Sequence, residues 1–334
     1  MPSSEKPIIA ITMGDAAGIG PEIIVKALRQ QQIYDICRPL VVGDGSVLQH
    51  AIKLINSSIK LRPGNTASKT QGEFGTIDFL DLKNLDGVEV PTGQVSGACG
   101  RGAMEYIEKA ARLALSGEVR AIATAPINKE SVIAAGYTDT GHMKFLARTT
   151  STTEYAAMLV TGPLRVVHLT DHYSLKEACE LVTKENILAK LKLTHNSFKQ
   201  WGFKHPRIGV AALNPHGSDG GLFGSEETAQ IAPAVTEAQT LGIDARGPFP
   251  ADSIFYRAIN GEFDVVLAMY HDQGHIAIKV HGFEKSVAVT LGLPFVRTSV
   301  DHGTAFDIAG KGIADSQSLE EAIRTAVSLS EERL

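Results

Sequence analysis

Short apolar runs rich in valine and isoleucine recur along this chain, each bounded by turn residues and separated from the next by a longer stretch with helical spacing. That alternation permits few architectures, because strands joined by crossover helices form a parallel sheet covered on both faces. The runs at 7–12, 39–43, 76–82, 120–125, 156–160, 164–170, 207–213, 264–270 and 286–290 predict strands. Several are continuously apolar rather than alternating, as strands buried on both faces are. Between them, Met104, Ile107, Ala111 and Leu115 share one helical face, with Tyr106 off it and Gly117 closing the segment. Pro21 suits the first turn of a helix over 21–30. Ser174 with Glu177, and Ser318 with Glu321, have capping-box spacing and predict helix starts. Another helix with an acidic first turn starts near Ser225 and runs to Gly242. Residues 56–75 are weakly patterned and read as an exposed loop.

At 334 residues the chain passes the size at which one core usually divides. Two domains or subdomains are the expectation, and without a flexible linker their boundary is crossed by strands. The 32 basic residues are scattered and outnumbered by 37 acidic ones, so the electrostatic footprint of a nucleic-acid binder is missing. Cys37, Cys99 and Cys179 are odd in number and far apart, which argues against a disulfide framework or a cysteine zinc site. No window approaches 18 consecutive apolar residues and the first six residues are polar, so neither export nor a membrane span is expected. A cytoplasmic, small-molecule activity follows.

The polar residues collect at the carboxyl ends of the predicted strands. They are Gly14 and Asp15, then Asn128 and Lys129, Asp171 and His172, Asn214 and His216, and lastly His271, Asp272 and Gln273. In open α/β sheets these ends, with the helix N-termini that follow, form the ligand crevice. His172, His216 and His271 each read within a residue or two of a buried strand. Taken singly each is better explained as a strand-end cap or a loop hydrogen-bonder; together they point to a divalent metal held by neutral imidazoles with open coordination positions. His50, His195, His205 and His281 read as surface or helix residues and His168 as a core histidine; His275 and His302 carry no assignment from spacing. The segment Gly14 to Pro21 has neither the G-x-G-x-x-G nor the P-loop spacing. Gly217, Gly220, Gly221 and Gly224 suit a loop wrapping a phosphate or dinucleotide, and equally one that only needs positive φ. Lys279 and Arg297 lie near apolar strands, as anchors for an anionic substrate or as partners of Asp272 or Asp252.

Together the segments Ile11 to Glu22, Thr140 to His142, Leu213 to His216, Pro250 to Asp252, Ala268 to Gly274 and Leu291 to Ala305 resemble the 4-hydroxythreonine-4-phosphate dehydrogenase family of the vitamin B6 pathway, with its relatives acting on 4-phosphorylated threonate or erythronate. The resemblance covers nearly the whole chain. It implies an isocitrate/isopropylmalate dehydrogenase-like α/β/α fold with two subdomains, approximately 1–135 plus 300–334 and approximately 136–299. It also implies a homodimer whose active site lies in the cleft and at the dimer interface. The activity implied is oxidation and decarboxylation of a 4-phosphorylated 3-hydroxy acid. The cofactors are NAD, with NADP the alternative, and a divalent metal: zinc, magnesium, manganese or cobalt.

The family's metal ligands fall on His172, His216 and His271, the last supplied by the second chain. Substrate contacts fall on His142, Met143, Lys279, Ala288 and Arg297, and cofactor contacts are expected at Gly14, Asp15, Asn214, Gly220, Gly221 and His302. Asp252 and Asp272 organise the site and, with Lys129, are the candidate proton acceptors. Two positions depart from the family pattern: Met143 where relatives commonly have Thr, and Ala288 where they have Asn. Each change removes a hydrogen-bonding group, worth about 1–3 kcal/mol if its partner stays buried. That opens the substrate to 4-phosphothreonate or 4-phosphoerythronate beside 4-hydroxythreonine 4-phosphate, with a non-phosphorylated diol acid as the alternative. Three histidines with nearby aspartates also fit a zinc hydrolase without dinucleotide, and a binding protein without turnover is the remaining reading.

Overall fold

The computed structural model describes residues 6–331; the polar start and the last three residues of the expected 300–334 segment lie outside them. Its strands are β1 (Ile8–Thr12), β2 (Arg38–Gly43), β3 (Lys60–Gly64), β4 (Thr76–Asp81), β5 (Ala121–Thr124), β6 (Ala156–Thr161), β7 (Leu164–His168), β8 (Ile208–Ala211), β9 (Ala245–Phe249), β10 (Val265–Ala268), β11 (Val287–Leu291) and β12 (Val296–Val300). Internal contacts divide the chain into two compact units. One runs to Thr153 and resumes at Leu293–Glu331; the other is Glu154–Gly292. The sequence estimate set these limits near 135 and 300. Helices Lys129–Ala134 and His142–Thr149 fall in the first unit because both pack on helix Gly97–Leu115.

In the first unit the strand order is β3-β4-β2-β1-β5-β12, every pair parallel. All residues of β1, β5 and β12 are buried, which is why β1 and β5 read as unbroken apolar runs. β12 was missed because Arg297, Thr298 and Ser299 interrupt the pattern although all three are buried. The expected loop at 56–75 contains β3, which pairs with β4 at the sheet edge. Lys60, Arg62 and Pro63 give it the polar look typical of an edge strand.

Ser96 caps helix Gly97–Leu115 by accepting from Cys99 N. Tyr106 lies inside rather than off the buried face: it is fully buried and its hydroxyl donates to Asn84 Oδ1 at 2.8 Å. The helix expected over 21–30 is Gly20–Ala27. The last helix, Gln317–Glu331, does not start at the Ser318 box. Asp315 Oδ1 accepts from Gln317 N at 2.6 Å and Ser316 Oγ bonds Glu320, so the start is set two residues earlier.

In the second unit the order is β11-β6-β7-β10-β8-β9. β11, β6 and β7 pair antiparallel, and β7, β10, β8 and β9 are parallel. Leu159, Val166, Ile254, Phe263, Val266 and Ile278 centre its core. β9, with Gly247 and Pro248 and one fully buried residue, gave no apolar signal. The Ser174 box forms as the spacing predicts, Ser174 N donating to Glu177 Oε2 at 3.1 Å. The helix expected from Ser225 begins instead with a π-turn, Glu227–Ile231, and continues as Ala232–Thr240. Among the described residues the three cysteines are free and no helix is long and apolar enough to cross a membrane.

Helix Gly97–Leu115 meets helix Lys129–Ala134 at Gly100, where a Cβ would land on the Ser131 carbonyl. Backbone cannot step aside, so Gly100→Ala is expected to destabilise by about 1–3 kcal/mol in urea unfolding. Gly64→Ala, whose nearest atoms would be 3.8 Å away, leaves the midpoint near wild type.

Candidate active site

β7, β10, β8 and β9 run parallel as neighbours, so their carboxyl ends open on one edge at intervals of about 4.8 Å. The chain places His172 beyond the first, His271 and Asp272 beyond the second, His216 beyond the third and Asp252 beyond the fourth. The ladders stop earlier than the apolar runs suggested, at His168, Ala268 and Ala211. The histidines therefore sit on loops or helix starts rather than directly on strand ends.

His271 opens helix His271–Gly282. Its Nδ1 is 2.7 Å from Asp272 Oδ1, its ring centroid is 5.6 Å from that of His172, and it stacks on His275 at 3.6 Å. His275 Nδ1 lies 3.2 Å from His168 Nε2. His168 is buried as expected of a core histidine, and burial, with His275 and His271 beside it, pushes its pKa down to about 3. Gln273 ties two strand ends together, accepting from Met269 N at 2.7 Å and donating to Ala212 O at 2.8 Å.

His216 Nδ1 is 4.0 Å from Asp252 Oδ2, and both side chains are about two-thirds exposed. The backbone there is unusual: His216, Gly217, Ser218, Asp219 and Gly220 all have positive φ, between 48° and 74°. For non-glycine residues a left-handed turn costs roughly 1–2 kcal/mol each, so His216, Ser218 and Asp219 need support from outside the turn. Asn214 supplies its root, donating its side-chain nitrogen to Glu226 at 2.7 Å and Glu227 at 3.0 Å. Burial alone would raise the Glu227 carboxyl; the hydrogen bonds from Asn214 and Leu213 outweigh it and hold the group below its ordinary value. Neither glutamate was singled out by sequence, where both read only as an acidic helix start. Among the described residues no three His, Cys, Asp or Glu side chains form one metal-binding group. One chain brings His172 beside His271 and His216 beside Asp252.

In the first unit β1, β5 and β12 are parallel neighbours. Their ends lead to Asp15, to Asn128 with Lys129, and to His302. Arg297 lies within β12, 3% exposed, donating from Nη2 to Thr124 Oγ1 at 2.6 Å. Burial pushes its guanidinium down to about 9, so it stays cationic at neutral pH. The Arg297 charge also bears on His142, whose pKa burial lowers well below 6.5, with Arg297 adding to the shift. His142 is half-buried, and its Nε2 is enclosed without a hydrogen-bond partner. Helix His142–Thr149 is held by Asp139, which pairs with Lys144 and Arg148 from the same helix. Met143 follows on its first turn, half-buried. Lys129 is exposed behind the Asn128 cap, and His302 is exposed with Nδ1 2.9 Å from Gly303 O. Asp15 is buried, accepts from Ala17 N at 2.9 Å, and has its carboxyl pKa raised by burial.

The glycines separate into two kinds. A Cβ on Gly14 would strike Pro126 O, on Gly20 Met13 O, and on Gly18 Thr304, so these are glycine for internal packing. At Gly220 and Gly221 it would meet nothing within 4 Å, and φ is +74° and +98°. Of the expected substrate contacts in the second unit, Lys279 Nζ lies 4.9 Å from the Phe283 ring centroid, and Ala288 packs against the apolar core.

A family model for the pyridoxal phosphate biosynthetic protein PdxA matches residues 35–326. The chain belongs to this family. A PdxA relative from Halalkalibacterium halodurans, provisionally named D-threonate 4-phosphate dehydrogenase, is 47% identical over 323 residues, 97% of each chain. The crystal structure of a 4-hydroxythreonine-4-phosphate dehydrogenase from Burkholderia phymatum superposes with a TM-score of 0.91 at 46% identity, covering 98% of this chain and 99% of that one. A terephthalate 1,2-cis-dihydrodiol dehydrogenase from Burkholderia xenovorans gives a TM-score of 0.68 at 31% identity, covering 97% and 98%. This PdxA-family chain is therefore a dehydrogenase with the mixed α/β fold of those solved dehydrogenases, and the hydrolase alternative falls.

The His142 imidazole supplies a stability test. With its folded pKa below the ordinary 6.5, its contribution is fully present above pH 6.5 and is lost as pH falls below it, because the unfolded imidazole takes the proton first. Urea unfolding between pH 6.5 and 5 is expected to take up more protons in the wild type than in His142→Asn; equal pH slopes would contradict the assignment.

Proposed function

We propose that this PdxA-family dehydrogenase, acting as a cytoplasmic homodimer, oxidises and decarboxylates a 4-phosphorylated 3-hydroxy acid, with 4-phosphothreonate or 4-phosphoerythronate preferred over 4-hydroxythreonine 4-phosphate. The observation that carries the reading is the row of histidines beyond β7, β10 and β8, with Asp272 bound to His271. A carboxylate on one ring nitrogen fixes the tautomer and leaves the other nitrogen as donor, the usual arrangement behind a metal-ligating histidine. His172, His216 and His271 suit a divalent ion in donor chemistry, and the open glycine face at Gly220 and Gly221 suits the backbone side of a dinucleotide. When bound, the metal supplies Lewis-acid polarisation of the substrate hydroxyl and the nicotinamide dinucleotide, taken as NAD, supplies the hydride acceptor.

The chain's own residues do the rest. Arg297, cationic and buried, and Lys279 bind the anionic ends of the substrate and orient the reacting carbon. His142, kept neutral by burial, offers an enclosed Nε2 to a substrate hydroxyl or phosphate oxygen. The substrate C–H leaves as hydride and the O–H proton passes to a base. The resulting 3-keto acid loses C1 as carbon dioxide; the electrons of the C1–C2 bond pass into the enol of the remaining ketone, which takes a proton at C2. Asp272 is committed to His271, which leaves Asp252 and Lys129 as proton acceptors. Preference for the sugar acid is supported by the D-threonate 4-phosphate relatives and by Met143, which offers no hydrogen bond where family members commonly carry Thr.

Two measurements test this. His216→Ala is expected to abolish metal-dependent NAD reduction on a panel of phosphorylated acids while far-UV circular dichroism is unchanged; retained turnover overturns the reading. In the same panel kcat/KM for 4-phosphothreonate exceeds that for 4-hydroxythreonine 4-phosphate, and Met143→Thr narrows the ratio by about tenfold, the worth of one hydrogen bond.

A further inference from the structure

The left-handed turn that carries His216 is held at its root by one buried carboxylate. Glu227 is 2% exposed. Its Oε1 accepts from Leu213 N and Asn214 N, each at 2.8 Å, and its Oε2 accepts from Asn214 Nδ2 at 3.0 Å. Glu226 Oε2 takes the same amide nitrogen at 2.7 Å, so both side-chain hydrogens of Asn214 are committed within the chain. Asn214 is the last extended residue before the turn, at φ −89° and ψ 157°, and Gly217 N returns to its carbonyl at 3.2 Å. The turn is thus built on the residue that Glu227 grips. Where the loop comes back, Gly224 has φ +144° and a Cβ there would lie 2.5 Å from Asn214 Nδ2, so even the closing residue is shaped around this contact. Glu227 itself opens a π-turn, a distortion that occurs frequently at functional sites.

We propose that Glu227 is a positioning residue for the metal centre: by holding Leu213 and Asn214 it fixes the left-handed turn, and with it the direction in which His216 presents its imidazole. The inference rests on the reading of His216 as a metal ligand. Glu227 acts through backbone and touches neither metal nor substrate. Asn214, expected as a cofactor contact, belongs to the same clamp.

The test is titration of the full-length, metal-free protein with Co²⁺, followed by calorimetry and by the visible absorption band, which reports ligand geometry without turnover. Glu227→Gln keeps the shape and the Oε1 acceptor but sets an amide against the Asn214 amide, donor facing donor. The triple variant Asn214→Asp, Glu226→Gln, Glu227→Gln exchanges donors and acceptors and restores each hydrogen bond in reverse. Glu227→Gln is expected to weaken Co²⁺ binding about 10- to 100-fold and alter the band, with far-UV circular dichroism retained; the triple variant recovers both. Wild-type affinity in Glu227→Gln, where His216→Ala loses it, overturns the inference while leaving the function intact, and so does a folded triple variant that stays weak. If His216→Ala binds Co²⁺ like the wild type, the metal reading falls and this inference with it. Should Glu227→Gln fail to fold, the triple variant decides alone, recovery supporting the inference and weak binding overturning it.

Discussion

Burial of the central strands on both faces is the constraint from which the chemistry of this molecule follows. β1, β5, β8, β10 and β12 carry no exposed residue. A charged or imidazole side chain in the middle of such a strand faces an apolar layer and is penalised unless paired. Polar groups are therefore driven to where the strands stop, and in parallel strands the stops fall on one edge. Arg297 is the exception that tests the rule. It sits inside β12, donating to Thr124 Oγ1, and burial pushes its guanidinium pKa down.

The two units use the same device for different chemistry. In the second unit four parallel ends deliver histidines and aspartates, groups that donate electron pairs. In the first, the arrangement is a cation beside an imidazole that burial keeps uncharged. A protonated His142 would be repelled by Arg297, which together with burial keeps the imidazole uncharged.

Much of this was legible in the sequence because burial writes itself as unbroken apolar runs. β1, β5, β7, β8 and β10 were visible for that reason, and the polar residues beyond each gave the candidate site. What escaped did so for physical causes. β3 and β9 lie at sheet edges, where one side of the strand is relieved of burial and the apolar signal fades. β12 carries Arg297, Thr298 and Ser299, which pair in register with Ile122, Ala123 and Thr124 of β5, far away in sequence. His275, unassigned by spacing, stacks on His271 only because both lie on one helix face. Glu227 looked like an ordinary acidic first turn, and no local pattern announces that its oxygens reach back to Leu213 and Asn214.

Glycine shows the same limit most sharply. From composition alone, the segments 14–20 and 217–224 are equally glycine-rich turns ahead of helices. In the first, the missing side chains are filled by the protein's own backbone, so the glycines are explained without any ligand. In the second, Gly220 and Gly221 face open space, and the residues bearing the strain between them and β8 are His216, Ser218 and Asp219. Glycine in their place would relieve that strain, but only histidine brings an imidazole to the strand edge. A turn that keeps a histidine in the left-handed region, and spends a buried glutamate to hold it there, is shaped by where that imidazole must point rather than by what the backbone prefers.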